Sequence, residues 1–145
     1  MILAASLASG VLARARSANP LPWRQAWSER LASLAREEGF AVVDRAGVEG
    51  ILAAGTHLVF DARGAEDYHA GHLPGAMSLP ETEFDGHFAE IMPMLLPEGP
   101  ILVYCSGPAC DAALVVARRL RAAGYPLVTY YADGYEDWTA GEASP

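Results

Sequence analysis

The sequence predicts an α/β domain with a mainly parallel, five-stranded sheet. From Phe40 onward, short apolar runs alternate with helix-like segments, the pattern that builds strand–helix–strand units. Two of those runs, HLVFD (57–61) and ILVY (101–104), are unbroken, as expected of strands buried on both faces. The chain has 145 residues, 52% hydrophobic and 19% charged, which suits one packed domain and excludes disorder as the main state.

At the start of the chain, residues 1–13 carry no charge, and Arg14 and Arg16 follow. The run falls short of the ~18 apolar residues read as a membrane-crossing helix. Its basic residues come after the apolar stretch, the reverse of a signal peptide. Three readings stay open: a helix packed on the domain, the end of a membrane helix that starts further upstream, or an atypical signal. In the membrane reading, Arg14 and Arg16 place the domain on the cytoplasmic side, anchored through this segment. Asn19-Pro20-Leu21-Pro22 then interrupts any helix. Trp23, Trp27, Leu31 and Leu34 share one face of the next segment, the charged residues lie mostly off it, and Gly39 ends it. This predicts an amphipathic helix packed on the domain, with both Trp rings as apolar anchors. A partner-binding face is the alternative. Residues 1–39 thus read as a helical extension and 40–145 as the domain proper.

Within the domain, residues 40–43 make the first strand. Asp44 caps a helix that runs to Ala54, with Val48, Ile51 and Leu52 as its apolar stripe and Gly55 as its stop. Residues 57–61 form the second strand, 66–70 a helical turn and 76–79 a small third strand. Residues 84–96 are helical, with a bend or end at Pro93. Residues 101–104 form the fourth strand, and 111–123 the best helix in the chain, closed by Gly124. Residues 128–131 form the last strand and 134–140 a closing helical turn.

Charge and cysteine content narrow the chemistry. Ten Lys and Arg against eighteen Asp and Glu give a net charge of −8 and a pI near 4.8. Such a chain lacks the basic footprint of a nucleic-acid binder, so no nucleic-acid partner is expected. Its two cysteines cannot make a disulfide framework, and with four scattered histidines they show no zinc spacing, so no metal is expected.

The chemical signal is ILVYCSGPACDAALVVARRL, where a buried strand runs straight into Cys105 and a helix starts about six residues later. Ligands of open α/β sheets bind beyond the carboxyl ends of strands. The turn Ser106-Gly107-Pro108-Ala109-Cys110, followed by Asp111, can curl its amides toward the sulfur as an anion cradle. The next helix adds its positive end, which is expected to lower the Cys105 pKa and leave an accessible, nucleophilic thiolate. The alternative is an inert buried cysteine.

A wider pattern supports the reactive reading. Asp61-Ala62-Arg63 is followed by Glu66-Asp67-Tyr68-His69-Ala70-Gly71-His72-Leu73-Pro74-Gly75-Ala76, then Ser78-Leu79-Pro80. Further on stands Asp133-Gly134-Tyr135-Glu136-Asp137-Trp138-Thr139-Ala140-Gly141. With the cysteine turn between them, these stretches resemble the rhodanese family across residues 40–145. The resemblance implies a parallel sheet with helices on both faces. It also implies that Cys105 takes a sulfane sulfur from a small donor such as thiosulfate and passes it, as a persulfide, to a thiol or cyanide, with no cofactor. Residues 106–111 would bind the substrate. Asp61, Arg63 and His72 would support the site. Asp61 and Arg63 are expected mainly to fix their turn, with Glu66 a candidate partner of Arg63, and His72 to hold its own turn rather than act as a base toward Cys105. Tyr104, Tyr130, Tyr131 and Trp138 are expected in the core or at the pocket rim, and Tyr135 is a candidate to reach the loop.

The chain departs from the family pattern in two ways. Its loop has no Arg or Lys, Asp111 follows directly, and Pro108 removes one amide donor, so thiosulfate is expected to bind weakly. Cys110 also stands five positions after Cys105, within reach of a redox role. Two alternatives to a sulfurtransferase follow: a catalytically weak binding or regulatory module, and a Cys105/Cys110 dithiol relay. A cysteine phosphatase is disfavoured, because Asp111 stands where its C-x5-R loop needs Arg.

Overall fold

All five strands run parallel, in the order β1-β5-β4-β2-β3. The structure is a computed structural model that describes residues 22–142. The readings of residues 1–21, including the membrane anchor, lie outside the described residues. The strands are β1 (Ala41–Val43), β2 (Leu58–Asp61), β3 (Met77–Ser78), β4 (Ile101–Tyr104) and β5 (Val128–Tyr131). The helices are α1 (Pro22–Glu37), α2 (Arg45–Ala54), α3 (Ala65–Ala70), α4 (Phe84–Ile91), α5 (Ala112–Ala122) and α6 (Gly134–Glu142).

Local chemistry accounts for most boundaries. The Asp44 carboxylate accepts from the Gly47 amide at 2.9 Å, capping α2, and Gly55 closes that helix in the left-handed conformation at φ 62°. Pro93 ends α4 as its position predicts: the helix gives way to a 3-10 turn at Met92–Met94. A second 3-10 turn, Glu81–Glu83, precedes α4 and had no separate signal in the sequence.

Alternating residues of the buried strands feed two cores, as a parallel sheet covered on both faces requires. Ile101, Val103 and Cys105 join the layer of α1, α4 and α5, with Leu31, Ala35, Phe84, Leu114 and Leu120. Leu102 and Tyr104 face the other way, toward Val48 of α2 and Trp138 of α6. The expected rhodanese-type layering is therefore present.

One helix face differs from its expectation. The buried residues of α1 are Ser28, Leu31, Ala32 and Ala35, while Trp23 and Trp27 are each 51% exposed. The Trp rings are not core anchors. Small side chains let the α1 backbone lie close to the sheet, and that turns the indoles outward. Arg24 lies over the Trp23 ring and Arg30 over the Trp27 ring, at 5.4 and 5.9 Å from the ring centroids.

The chain order creates a crevice. From β2 the chain moves to its outer neighbour β3, and from β4 it moves the other way to β5. The segments leaving β2 and β4 diverge at a topological switch point, where α/β sheets bind ligands. Asp61 ends β2, and Cys105 follows β4.

Candidate active site

The alternation that buries Val103 also turns Cys105 toward α5. Beyond it, residues 106–111 loop back to the start of α5. The Cys110 amide donates to the Gly107 carbonyl at 3.0 Å, closing a turn. The first amides of a helix lack partners within it. Here the amides of Ala113 and Ala112 favour negative charge on the Cys105 and Cys110 sulfurs respectively. Gly107 adds an amide to Cys105, and Ser106 adds its hydroxyl and amide to Cys110. The loop thus forms an amide cradle, but it serves two sulfurs. Ala109 and Asp111 are exposed on its outer side, and Pro108 has no amide to contribute.

The start of α6 braces this loop. The Tyr135 amide donates to the Cys105 carbonyl at 2.9 Å, and the Glu136 amide to the Ser106 carbonyl at 2.8 Å. Gly134 makes the approach possible. It sits at φ 65°, and a β-carbon there would lie 2.5 Å from the Cys105 carbonyl oxygen and 2.8 Å from the Gly107 nitrogen. Arg24 of α1 reaches the same edge and pairs with Glu136 at 2.5 Å. The sequence singles out Tyr135, includes Gly134 and Glu136 only within its closing motif, and gives no sign of Arg24, which reaches the loop through Glu136.

The electrostatics correct the expectation for Cys105. Both thiols are free. Cys105 is only 2% exposed, and its thiol donates to the Cys110 carbonyl oxygen at 3.1 Å. A carbonyl in that position favours the protonated thiol. Cys105 is pushed up, first by its hydrogen bond to the Cys110 thiol and then by burial. The sulfur held low is that of Cys110, at about 6; the Cys105 thiol contributes most, ahead of the Ala112 amide. The helix end and loop therefore favour a thiolate, as expected, but its charge rests on Cys110, the partly exposed member of the pair. Cys105 is buried, and its surroundings favour the protonated thiol.

Asp61 and Arg63 form a buried pin below the loop. The Arg63 guanidinium donates to the Asp61 carboxylate from Nε at 2.9 Å and from Nη2 at 2.6 Å, and Nη2 also donates to the Gly71 carbonyl. The Tyr104 hydroxyl donates to Asp61 at 2.6 Å and accepts from the Leu73 amide at 3.0 Å. The partner of Arg63 is Asp61, and Glu66 is exposed. These residues fix Tyr104, the residue just before Cys105. His72 is exposed, stacks on Tyr68 at 4.0 Å, and its Nδ1 donates to the Tyr68 carbonyl at 2.8 Å, which holds its own turn.

Tyr130 is a further neighbour that the sequence placed only as a core or rim aromatic. It is fully buried, and its hydroxyl has no hydrogen-bond partner among the described residues. Burial pushes its phenol up first, and the neighbouring cysteine pair adds to that. Among the described residues, no cluster of three or more His, Cys, Asp or Glu is placed to hold a metal ion. None of their helices is long and apolar enough to cross a membrane.

Comparison with known proteins identifies the class to which this cysteine loop at the switch point of a parallel sheet belongs. The Rhodanese-like domain family matches residues 44–141, and the chain belongs to that family. It is 36% identical over 85 residues to an HTH-type transcriptional regulator of Mycobacterium tuberculosis, Rv0324. That match covers 59% of this chain and spans only 35% of the regulator's length. The fold is similar to the human single-domain sulfurtransferase TSTD1, with TM-score 0.62 and 24% identity over 74% of this chain and all of that one. It is also similar to the BH2092 protein of Bacillus halodurans, with TM-score 0.64 and 27% identity over 79% of this chain and 81% of that one.

Proposed function

We propose that this domain is a sulfurtransferase in which Cys105 carries a sulfane sulfur as a persulfide. The observation that supports it most is the amide cradle around Cys105 at the β2–β4 switch point. The thiol pair loses one proton readily. When Cys105 gives up its proton, to Cys110 or to water, the Gly107 and Ala113 amides receive the charge. The Cys105 thiolate then attacks the outer sulfur of a small donor such as thiosulfate. The S–S bond of the donor breaks, its remainder leaves as sulfite, and a thiol or cyanide acceptor later takes the bound sulfur. Residues 106–111 frame the donor, while Asp61, Arg63 and His72 act as supports.

A second reading, a regulatory module with little turnover, is favoured by the buried Cys105, by a loop without Lys or Arg, and by a relative named as a transcriptional regulator. One experiment separates the two. Cys110→Ala leaves Cys105 as the chain's sole cysteine. Incubated with thiosulfate or polysulfide and weighed intact, this variant gains one sulfur, which cyanide removes as thiocyanate. The Cys105→Ser variant yields no thiocyanate. No gain from any donor sinks the sulfurtransferase reading.

A further inference from the structure

Cys110 is more than a neighbour of Cys105. Its carbonyl accepts from the Cys105 thiol at 3.1 Å, and the two side chains perturb each other's ionisation. The turn closed between Gly107 and Cys110 holds the two residues at opposite ends of one short loop. Cys110 is also the partly exposed member of the pair. The loop offers no basic side chain to hold an anionic persulfide, whereas the Ala112 and Ser106 amides hold negative charge on Cys110.

From this juxtaposition we propose that Cys110 ends the life of a persulfide on Cys105 by attacking its inner sulfur, which makes the site a sulfane-sulfur reductase that releases hydrosulfide. The proposal rests on the reading that Cys105 accepts the sulfur. In the step, the Cys110 sulfur bonds to the Cys105 sulfur, and the bond from Cys105 to the added sulfur breaks. The bonding pair leaves with hydrosulfide. The two cysteines lose two electrons and become a disulfide, and the sulfane sulfur gains those electrons. The proton between Cys110 and the persulfide leaves on the hydrosulfide. No other oxidant is needed, since the sulfane sulfur is the oxidant. An external dithiol reductant, acting by thiol–disulfide exchange, restores both thiols. Attack within one loop outcompetes acceptors in solution because the reacting atoms are already held together.

The test compares the reduced native chain with Cys110→Ala and Cys110→Ser, two replacements of different polarity whose folding is checked by melting. Each is exposed briefly to inorganic polysulfide without oxygen, desalted and weighed, with a buffer-only control. The native chain is expected to lose two hydrogens and both titratable thiols. Each variant gains one sulfur and keeps it on the order of tenfold longer or more, as loss of an intramolecular resolving thiol predicts. If native protein retains the added sulfur as long as the variants do, with no disulfide, the reductase proposal falls and the carrier reading stands. If neither variant gains sulfur, both fall.

Discussion

At the scale of single residues, the site depends on which sulfur holds the negative charge. Cys110 is held at about 6 chiefly by the hydrogen bond from the Cys105 thiol. A lowered thiol pKa means that the charged form is favoured, so removing the donor moves the value back up, toward the ordinary ~8.5 of a free cysteine. Cys105→Ala should therefore shift the pH midpoint of Cys110 alkylation upward from about 6. Iodoacetamide rates across pH 5 to 9 read this directly (roughly the range set by the two limits). An unmoved midpoint would show that the amides alone hold the charge. The sequence revealed the anion-stabilising turn and both cysteines, since a strand end and a helix start are local patterns. It could not reveal which sulfur ionises. That depends on the direction of the Cys110 carbonyl and on the burial of Cys105, and both are set by tertiary packing.

At the scale of elements, strands and helices fall close to where the apolar runs and caps place them, because Asp44, Gly55 and Pro93 act within a few residues of their own positions. The orientation of α1 was half legible, since Leu31 is buried and Leu34 packs against the core as the stripe predicts, while Trp23 and Trp27 are exposed. A helical wheel rewards large apolar side chains, so it put Trp23 and Trp27 inward, whereas the sheet accepts Ser28, Ala32 and Ala35. The cysteine loop, whose outer side carries exposed Ala109, is the element that governs the donor. Ala109→Arg would add a cation beside the amide cradle, and a partly exposed charge contact contributes roughly 0.2–1 kcal/mol. In the Cys110→Ala background, this substitution should lower the KM for thiosulfate severalfold in a cyanide-acceptor assay. Unchanged KM would show that the missing loop cation does not limit donor binding.

At the scale of the whole molecule, the pin of Asp61, Arg63 and Tyr104 joins the ends of β2 and β4 to the segment before β3. The Asp61 side chain is fully buried and that of Arg63 is 7% exposed. Removing one partner leaves a buried charge unpaired, which costs about 3–5 kcal/mol. Arg63→Met is expected to lower stability by that amount in urea unfolding, and a loss under ~1 kcal/mol would mean that water or another group takes over the carboxylate. The Asp-x-Arg motif was legible, but its connection to Tyr104 was not, because the two lie 43 positions apart and meet only through strand pairing.

The ion pair between Arg24 and Glu136 has a mechanical consequence. Glu136 also grips the Ser106 carbonyl through its own amide, so one short relay runs from the first turn of α1 to the residue beside Cys105. That helix lies ahead of residues 44–141, the stretch shared with the family. A shift of α1 along its axis would pull on this tether and on the hydrogen bond from Ser28 to Asp133, two links between α1 and the start of α6 that borders the sulfur cradle.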